Sequence, residues 1–420
     1  MFQMTKKRSI LAELLFCVLV FLACNDTESF PVEIGDTGPE TPPEETAATD
    51  SAATDSATTD SVATGFISED DSSFHFVLGK NEITSSNLIL PYPADSFLTK
   101  FEIGDIVTAT IVGYDTLDIP VVESSNDAPI AGISLKAVTG SNELALTIHN
   151  GRLAEILGIT VEKAPIDVYL SMKEKGGFLF GLEMRYFQYM DYYTENYPDL
   201  SIEEFANFRE VRTTGMGKNK LYRSSSPIDL CLGRNFYADS LAKEAGVATF
   251  INLADSEDNA RSFDRFDSSY YSSQDVIFLA LPVEFFSKPF KEGITKGFRF
   301  MIEHDAPYLV HCTYGMDRTG FTIAVLEALM GATSKDIAKD YAKTFTNYFN
   351  VVDGRQVALN EEQAGFFEAV VLKNLKAVYH AEGIEIPDAS NADWAPATEK
   401  YLEKIGMTPK EISDLKDKLK

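Results

Sequence analysis

The chain has 420 residues, 45% apolar and 11% aromatic, enough for two domains with real cores plus tails. Its formal net charge of −27 argues against nucleic acid as a partner, because a phosphate backbone needs a Lys/Arg surface, and against tight adhesion to anionic lipid. A local basic pocket remains compatible with this balance, since local potential can oppose net charge.

Lys6, Lys7 and Arg8 precede the apolar residues 14–23, the pattern of a signal peptide over residues 1–24. The apolar run is shorter than the roughly 20 residues that a membrane-spanning helix needs. Phe21-Leu22-Ala23-Cys24 resembles a bacterial lipoprotein box. That resemblance implies lipidation of Cys24 and attachment to the extracytoplasmic side of a bacterial cell envelope, a lipid anchor being the only membrane contact; plain secretion is the alternative. Residues 25–65 are Thr, Ala, Ser, Asp, Glu and Pro with ten acidic side chains and no Lys or Arg, too polar to order themselves. They read as a disordered acidic linker with an r.m.s. reach of roughly 35 Å. Residues 1–24 carry +2 and residues 25–65 carry −10, so −19 belongs to the folded remainder.

Over residues 66–175 short β-branched and aromatic runs alternate with Gly, Asn, Asp and Pro signals. Strands are expected at 74–78, 106–112, 119–122, 130–137, 144–149 and 165–171, with a helix at 152–157, as a small all-β module of barrel or sandwich type. Its role is not legible. His75 and His149 stand apart from other ligand-type residues and read as ordinary surface or core side chains.

Residues 176–420 read as an α/β domain. Aromatic-rich helices are expected at 181–193 and 201–211, the second opened by the capping box Ser201-x-x-Glu204. A strand running into a turn over 220–227 and strands at 247–253, 275–283 and 308–310 alternate with helices at 235–246 and 290–304, which argues for a doubly wound sheet. Helices at 321–330, 334–349, 361–381, 397–405 and 409–419 follow, the last with Thr408-Pro409-x-Glu411 at its start. Asp255 sits just past a strand end, where open α/β sheets place ligands, although capping of the next segment also explains it.

The strand at 308–310 leads to His311 and Cys312, crosses Thr313-Tyr314-Gly315-Met316-Asp317 to Arg318, and opens through Thr319 and Gly320 into a helix. A strand-loop-helix turn of this kind aims backbone N–H groups and a helix N-terminus at one point, which makes an anion site. The same field favours the thiolate form of a cysteine at the strand end, and an arginine there offers a planar fork of donors to phosphate oxygens. These are the groups that attack on phosphorus requires. A buried structural cysteine, arsenate reduction and sulfur transfer are the other readings of the same residues.

His311-Cys312-x5-Arg318-Thr319-Gly320 resembles the H-C-x5-R-[ST]-G signature of the cysteine-based protein tyrosine and dual-specificity phosphatases. The closer likeness is to bacterial tyrosine phosphatases with H-C-x-x-G-K-D-R-[TA]-G loops, and it runs from about Leu221 to the C-terminus with its helical style. The resemblance implies a phosphatase-like fold and a phosphocysteine intermediate, with Cys312 as nucleophile and no cofactor or metal. Amides from Thr313, Tyr314, Gly315, Met316, Asp317 and Arg318, with the Arg318 guanidinium, would bind the phosphate. It further implies that Thr319 assists the departing sulfur and that His311 tunes the thiolate. Asp317, Glu284 and Asp255, in that order, are candidates for the general acid. The string Tyr222-Arg223-Ser224-x-x-Pro227 resembles the opening segment of the same family. Arg223 there supports the loop, binds substrate or forms a buried ion pair. Of the cysteines, Cys17 leaves with the signal, Cys312 is expected free despite the export, and Cys231 reads as core. Met316 replaces the relatives' Lys, which with the acidic balance favours a singly phosphorylated small molecule or phosphoprotein over a polyphosphorylated inositol or lipid. A phosphoanion-binding lipoprotein without turnover is the rival from another functional class.

Overall fold

The computed structural model describes residues 66–420, apart from 71–72, 186–193, 198, 349–350, 353–354 and 357–358. The signal segment, Cys24 and the acidic linker therefore lie outside the described residues. Among the described residues no helix is long and apolar enough to cross a membrane.

Eight strands make the first sheet: β1 (Phe66–Asp70), β2 (Ser73–Leu78), β3 (Leu88–Ile89), β4 (Ile106–Ile111), β5 (Asp115–Val122), β6 (Ile133–Ala137), β7 (Leu144–Ile148) and β8 (Ile166–Glu174). They run in the order β1-β2-β8-β4-β5-β6-β7-β3, antiparallel except for the β5–β6 pair. Alternate residues of β2 and β4 are buried, as expected of strands with one face on a core. Inward residues from both ends of the strand order, Phe74 and Leu144 among them, join one apolar cluster. The two ends of the sheet therefore share one interior, in a strand-rich module.

The second sheet contains β9 (Arg209–Glu210), β10 (Leu221–Ser224), β11 (Thr249–Asn252), β12 (Asp275–Phe278) and β13 (Tyr308–His311), in the order β12-β11-β13-β10-β9. The first-to-fourth strands of that order are parallel, and only β9 is antiparallel. Every residue of β10, β11 and β13 is buried, which is why none of them shows an apolar/polar alternation. Ser224 of β10 and Asn252 of β11 both pair with His311 at the C-terminal end of the central β13. Cys312 thus emerges between two strand ends, where a parallel sheet converges its loops. The helix Asp317–Leu329 is buried nearly all round and carries the core beneath the sheet.

Several expected elements are redrawn. Residues 201–211 hold one helical turn, Ile202–Phe205, capped by the predicted Ser201/Glu204 box, and then β9. Asn207, in the left-handed region at φ 52, ends the helix, a position that Asn tolerates. The strand begun at Asp275 stops at Phe278, and Ala280 turns the chain away with φ 46. The helix expected from residue 321 begins at Asp317, its first turn being too polar to show apolar periodicity. The helix expected over 181–193 is Leu179–Arg185 within the described residues. Cys231 is half-buried in the turn Leu230–Leu232.

The two sheets share contacts. Ile130 and Ala131 of the β-rich module pack into the core beneath the parallel sheet. Phe286, from the parallel half, lies against both cores.

Candidate active site

Three consecutive carbonyls of the loop after β13 are held from behind. Ser226 N donates to Thr313 O at 3.0 Å, Tyr348 Oη to Tyr314 O at 2.8 Å, and Arg223 Nη2 to Gly315 O at 2.8 Å. In a trans peptide the C=O and the following N–H point in opposite directions. Pinning these three carbonyls toward the interior therefore turns the N–H groups of Tyr314, Gly315 and Met316 the other way, over the Cys312 side of the loop. The turn requires a glycine: Gly315 has φ 67, and a Cβ there would stand 2.1 Å from Ser224 O. Gly320 N closes onto Met316 O at 2.7 Å, starting the helix whose N-terminus completes the concentration of positive potential.

Behind the loop lies a buried polar network. Arg223 is fully buried on β10, and its Nη1 donates to Asp340 Oδ2. Arg209 donates from Nε to Asp340 Oδ1 at 2.7 Å and from Nη1 to Asn207 Oδ1 at 2.6 Å. Asn207 in turn donates to Gly315 O at 3.2 Å. Burial would push the Asp340 carboxyl up, but the two guanidinium groups outweigh it and hold it at about 2. Nearby Glu327 is buried, with Oε1 unpartnered among the described residues; burial first and Asp340 second push its carboxyl well up. Arg223 thus supports the loop and forms a buried ion pair, combining two of its expected roles.

A second chain runs from the strand ends. His311 Nε2 lies 3.2 Å from Tyr271 Oη, which accepts from Asn252 Nδ2 at 3.2 Å. Burial, with Arg318 adding, lowers the His311 imidazole to about 3, so the ring is neutral. Asn252 Nδ2 also donates to Asp255 Oδ2 at 3.1 Å, and Asn259 Nδ2 to Asp255 Oδ1 at 2.7 Å. Both oxygens of Asp255 are engaged by amides, and burial pushes its carboxyl up.

Around the sulfur, Cys312 is a free, buried thiol. Arg318 Nη1 donates to Leu281 O at 2.9 Å, while its Nε is buried and unpartnered among the described residues. Thr319 Oγ1 is likewise buried without a hydrogen-bond partner, so no bond from it to the sulfur is formed here. Asp317 is half-buried at the first helical position, and burial, opposed by Arg318, raises its carboxyl to about 6. Glu284 is exposed on the segment that begins at Leu281. Asp229, raised by burial and by Asp255, adds a third carboxyl to the Asp255–Arg318 neighbourhood.

Reading the sequence missed Asn207, Arg209, Asn252, Tyr271, Asp340 and Tyr348. Apart from the local Arg209–Asn207 and Asn252–Asp255 bonds, the contacts that tie them to the site span 19 to 140 positions, so no local pattern announces them. Arg234, also unforeseen, is fully buried, donates to Phe205 O at 2.6 Å and lies 4.3 Å from the Tyr348 ring that carries one of the loop contacts. Among the described residues no group of three or more His, Cys, Asp or Glu side chains is placed to hold a metal ion.

A parallel sheet whose central strand ends in a buried cysteine, followed by an anion-cradling loop and an arginine, defines the class of cysteine-based phosphatases. Residues 200–420 match the model of the tyrosine phosphatase family, and the chain belongs to that family. Among solved structures, the chain is similar to the core catalytic domain of a PP-IP phosphatase from S. cerevisiae in complex with citrate. That match has 18% identity and a TM-score of 0.24, covering 42% of this chain and 93% of that one. A candidate phosphatase from Shewanella putrefaciens is similar at 20% identity and a TM-score of 0.21, over 41% of this chain and 98% of that one. No curated protein matches.

Proposed function

We propose that the protein hydrolyses phosphomonoesters through a phosphocysteine. The observation that carries this reading is the set of pinned carbonyls of Thr313, Tyr314 and Gly315, which turns successive amides toward the space beside a free Cys312. In the first step the Cys312 thiolate attacks phosphorus in line, the P–O ester bond breaks, and the leaving oxygen takes a proton from Asp317. The cradle amides and Arg318 hold the three equatorial oxygens as charge spreads in the transition state. In the second step water gives its proton to the Asp317 carboxylate as it attacks phosphorus, and the sulfur departs as thiolate. The unpartnered Thr319 hydroxyl is the donor at hand for that sulfur. His311, neutral and tied to Tyr271, holds the strand end and takes no proton in either step.

Singly phosphorylated substrates, phosphotyrosine or a comparable small ester, fit best. Asp255 and Asp317 both feel the one Arg318 guanidinium, Asp229 adds its charge beside Asp255, and Met316 adds none, so a polyphosphorylated substrate would meet more carboxyls than cations. The lipoprotein-like Cys24 and the acidic residues 25–65 support a tethered enzyme acting outside the cytoplasm.

The test is turnover of an aryl phosphate that survives chelator, is inhibited by vanadate and disappears in Cys312→Ser. Tight phosphate binding by a wild-type chain that hydrolyses no ester would replace this reading with that of a phosphoanion-binding lipoprotein. For the tether, metabolic labelling with a fatty acid should mark the wild type and not Cys24→Ala; an unlabelled wild type sinks the anchor.

A further inference from the structure

We infer that the β-rich module is a working part of the phosphate site, acting through Phe286 to position the segment whose Leu281 carbonyl holds Arg318. The inference deepens the hydrolytic reading above and concerns its affinity for the phosphate group.

The contacts form a short chain. Arg318 Nη1 donates to Leu281 O at 2.9 Å. Leu281 is buried, and its N–H is tied to Leu253 O at 2.9 Å, just past β11. Four residues on, Phe285 stacks on Phe321 at 4.5 Å, within the helix that starts at the signature loop. The next residue, Phe286, leaves that core far enough to lie against the module's core as well. Ser287 then caps the helix Lys288–Glu303 by accepting from Phe290 N at 3.2 Å. The segment from Leu281 to Ser287 is therefore fixed at both ends by the parallel half and braced in its second half by the module.

The module also contributes Ile130 and Ala131 to the core beneath the parallel sheet, the core that Leu281 and Phe285 share. Two alanines stand in the left-handed backbone region here, Ala131 at φ 63 in the module and Ala280 at φ 46 immediately before Leu281. Such conformations persist only where the surroundings over-determine them. Ala131 N is held by His149 O at 3.0 Å and Ala280 N by Asp255 O at 3.2 Å. Both flanks of the contact are thus built stiff.

Arg318 has a long side chain, and one anchored nitrogen restricts where its remaining donors point. A displacement of the Leu281 carbonyl by about 1 Å is enough to misplace a binding group and weaken what it holds. Phe286 acts through the Leu281 carbonyl and Arg318, so it is a positioning residue, and its removal should tell on phosphate binding before chemistry.

The experiment uses the full chain with Phe286→Ala, Phe286→Leu and, from the module side, Ile130→Ala. Inorganic phosphate affinity is measured by calorimetry, and kcat and KM on an aryl phosphate. Phe286→Ala should weaken phosphate binding and raise KM about tenfold with kcat within about threefold. Phe286→Leu should recover most of the loss, and Ile130→Ala should shift affinity in the same direction by less. Wild-type phosphate affinity in Phe286→Ala overturns the inference, as does a kcat loss at unchanged KM or a Leu variant no better than Ala. Should the wild type bind phosphate without hydrolysing esters, the hydrolytic reading falls while the calorimetric comparison still decides this one, weaker binding by Phe286→Ala supporting it and equal binding overturning it.

Discussion

Asp317 makes the sharpest test of the chemistry, because replacing it should damage catalysis and improve stability together. Burial holds its carboxyl at about 6 against an ordinary value of 3.8. Between those values the unfolded chain has lost the proton and the folded chain has kept it. Folding stability therefore falls as pH rises through that window, by about 3 kcal/mol once pH is well above 6, at 1.36 kcal/mol for each pKa unit. Asp317→Asn removes the ionisation, so at pH 8 the variant should be more stable by up to that amount. Catalysis should move the other way. As general acid Asp317 must hold its proton, and at pH 7 about a tenth of the molecules do. The wild type should then lose activity on alkyl phosphates as pH rises past about 6, where a positioned acid contributes roughly 10²–10⁴-fold. Aryl phosphates, whose leaving groups need little help, should be nearly indifferent. Paired pH–rate profiles on an alkyl and an aryl ester, with urea unfolding at pH 5 and pH 8, measure both sides. An upper pH limb that survives in Asp317→Asn, or equal losses on the two esters, refutes the assignment.

Glu284→Gln should change kcat/KM on either ester by less than about twofold, because an exposed carboxyl on a surface segment cannot retain a proton transfer role away from water; a large loss confined to alkyl esters would transfer the acid role to it. Asp340→Asn leaves two buried guanidinium groups short of their partner and should cost about 3–5 kcal/mol in urea unfolding. In the wild type that contribution is present above about pH 4 and lost as pH falls toward about 2, where the held-down carboxyl protonates; the variant should lack this acid-sensitive step. Gly315→Ala drives a Cβ against the Ser224 carbonyl and forces a left-handed residue, so phosphate binding should be lost, and calorimetry with normal affinity would disprove the cradle geometry.

What the sequence revealed follows from what each signal measures. The buried strand β13 is legible because solvent reaches neither face and Tyr308-Leu309-Val310 is an unbroken apolar run, whereas β10 and β11 carry Arg223, Ser224, Thr249 and Asn252 into the interior. The capping boxes at Ser201/Glu204 and Thr408/Glu411 are legible because both partners lie within one turn. Asp317, Arg318, Thr319 and Gly320 were recognisable by their order but not as helix, since a first turn facing a loop has no apolar periodicity. Asn207 ends the helix expected around it and its amide serves Gly315, 108 positions away. Separation along the chain likewise hides Arg209, Asp340 and Tyr348, whose importance exists only once the chain has brought them together. Phe286 looked like one more apolar residue, and only the folded chain reveals that it borders two interiors.

The carbonyl-pinning donors have a thermodynamic corollary. Ser226, Arg223 and Tyr348 come from the turn after one strand, from that strand and from the end of a distant helix, so the amide cradle exists only in the folded chain. An oxyanion that occupies it stabilises the native state by mass action, by about 2.7 kcal/mol at a hundred times its dissociation constant. Melting temperature should therefore climb with phosphate or vanadate concentration, and it should do so even in a variant that has lost its sulfur.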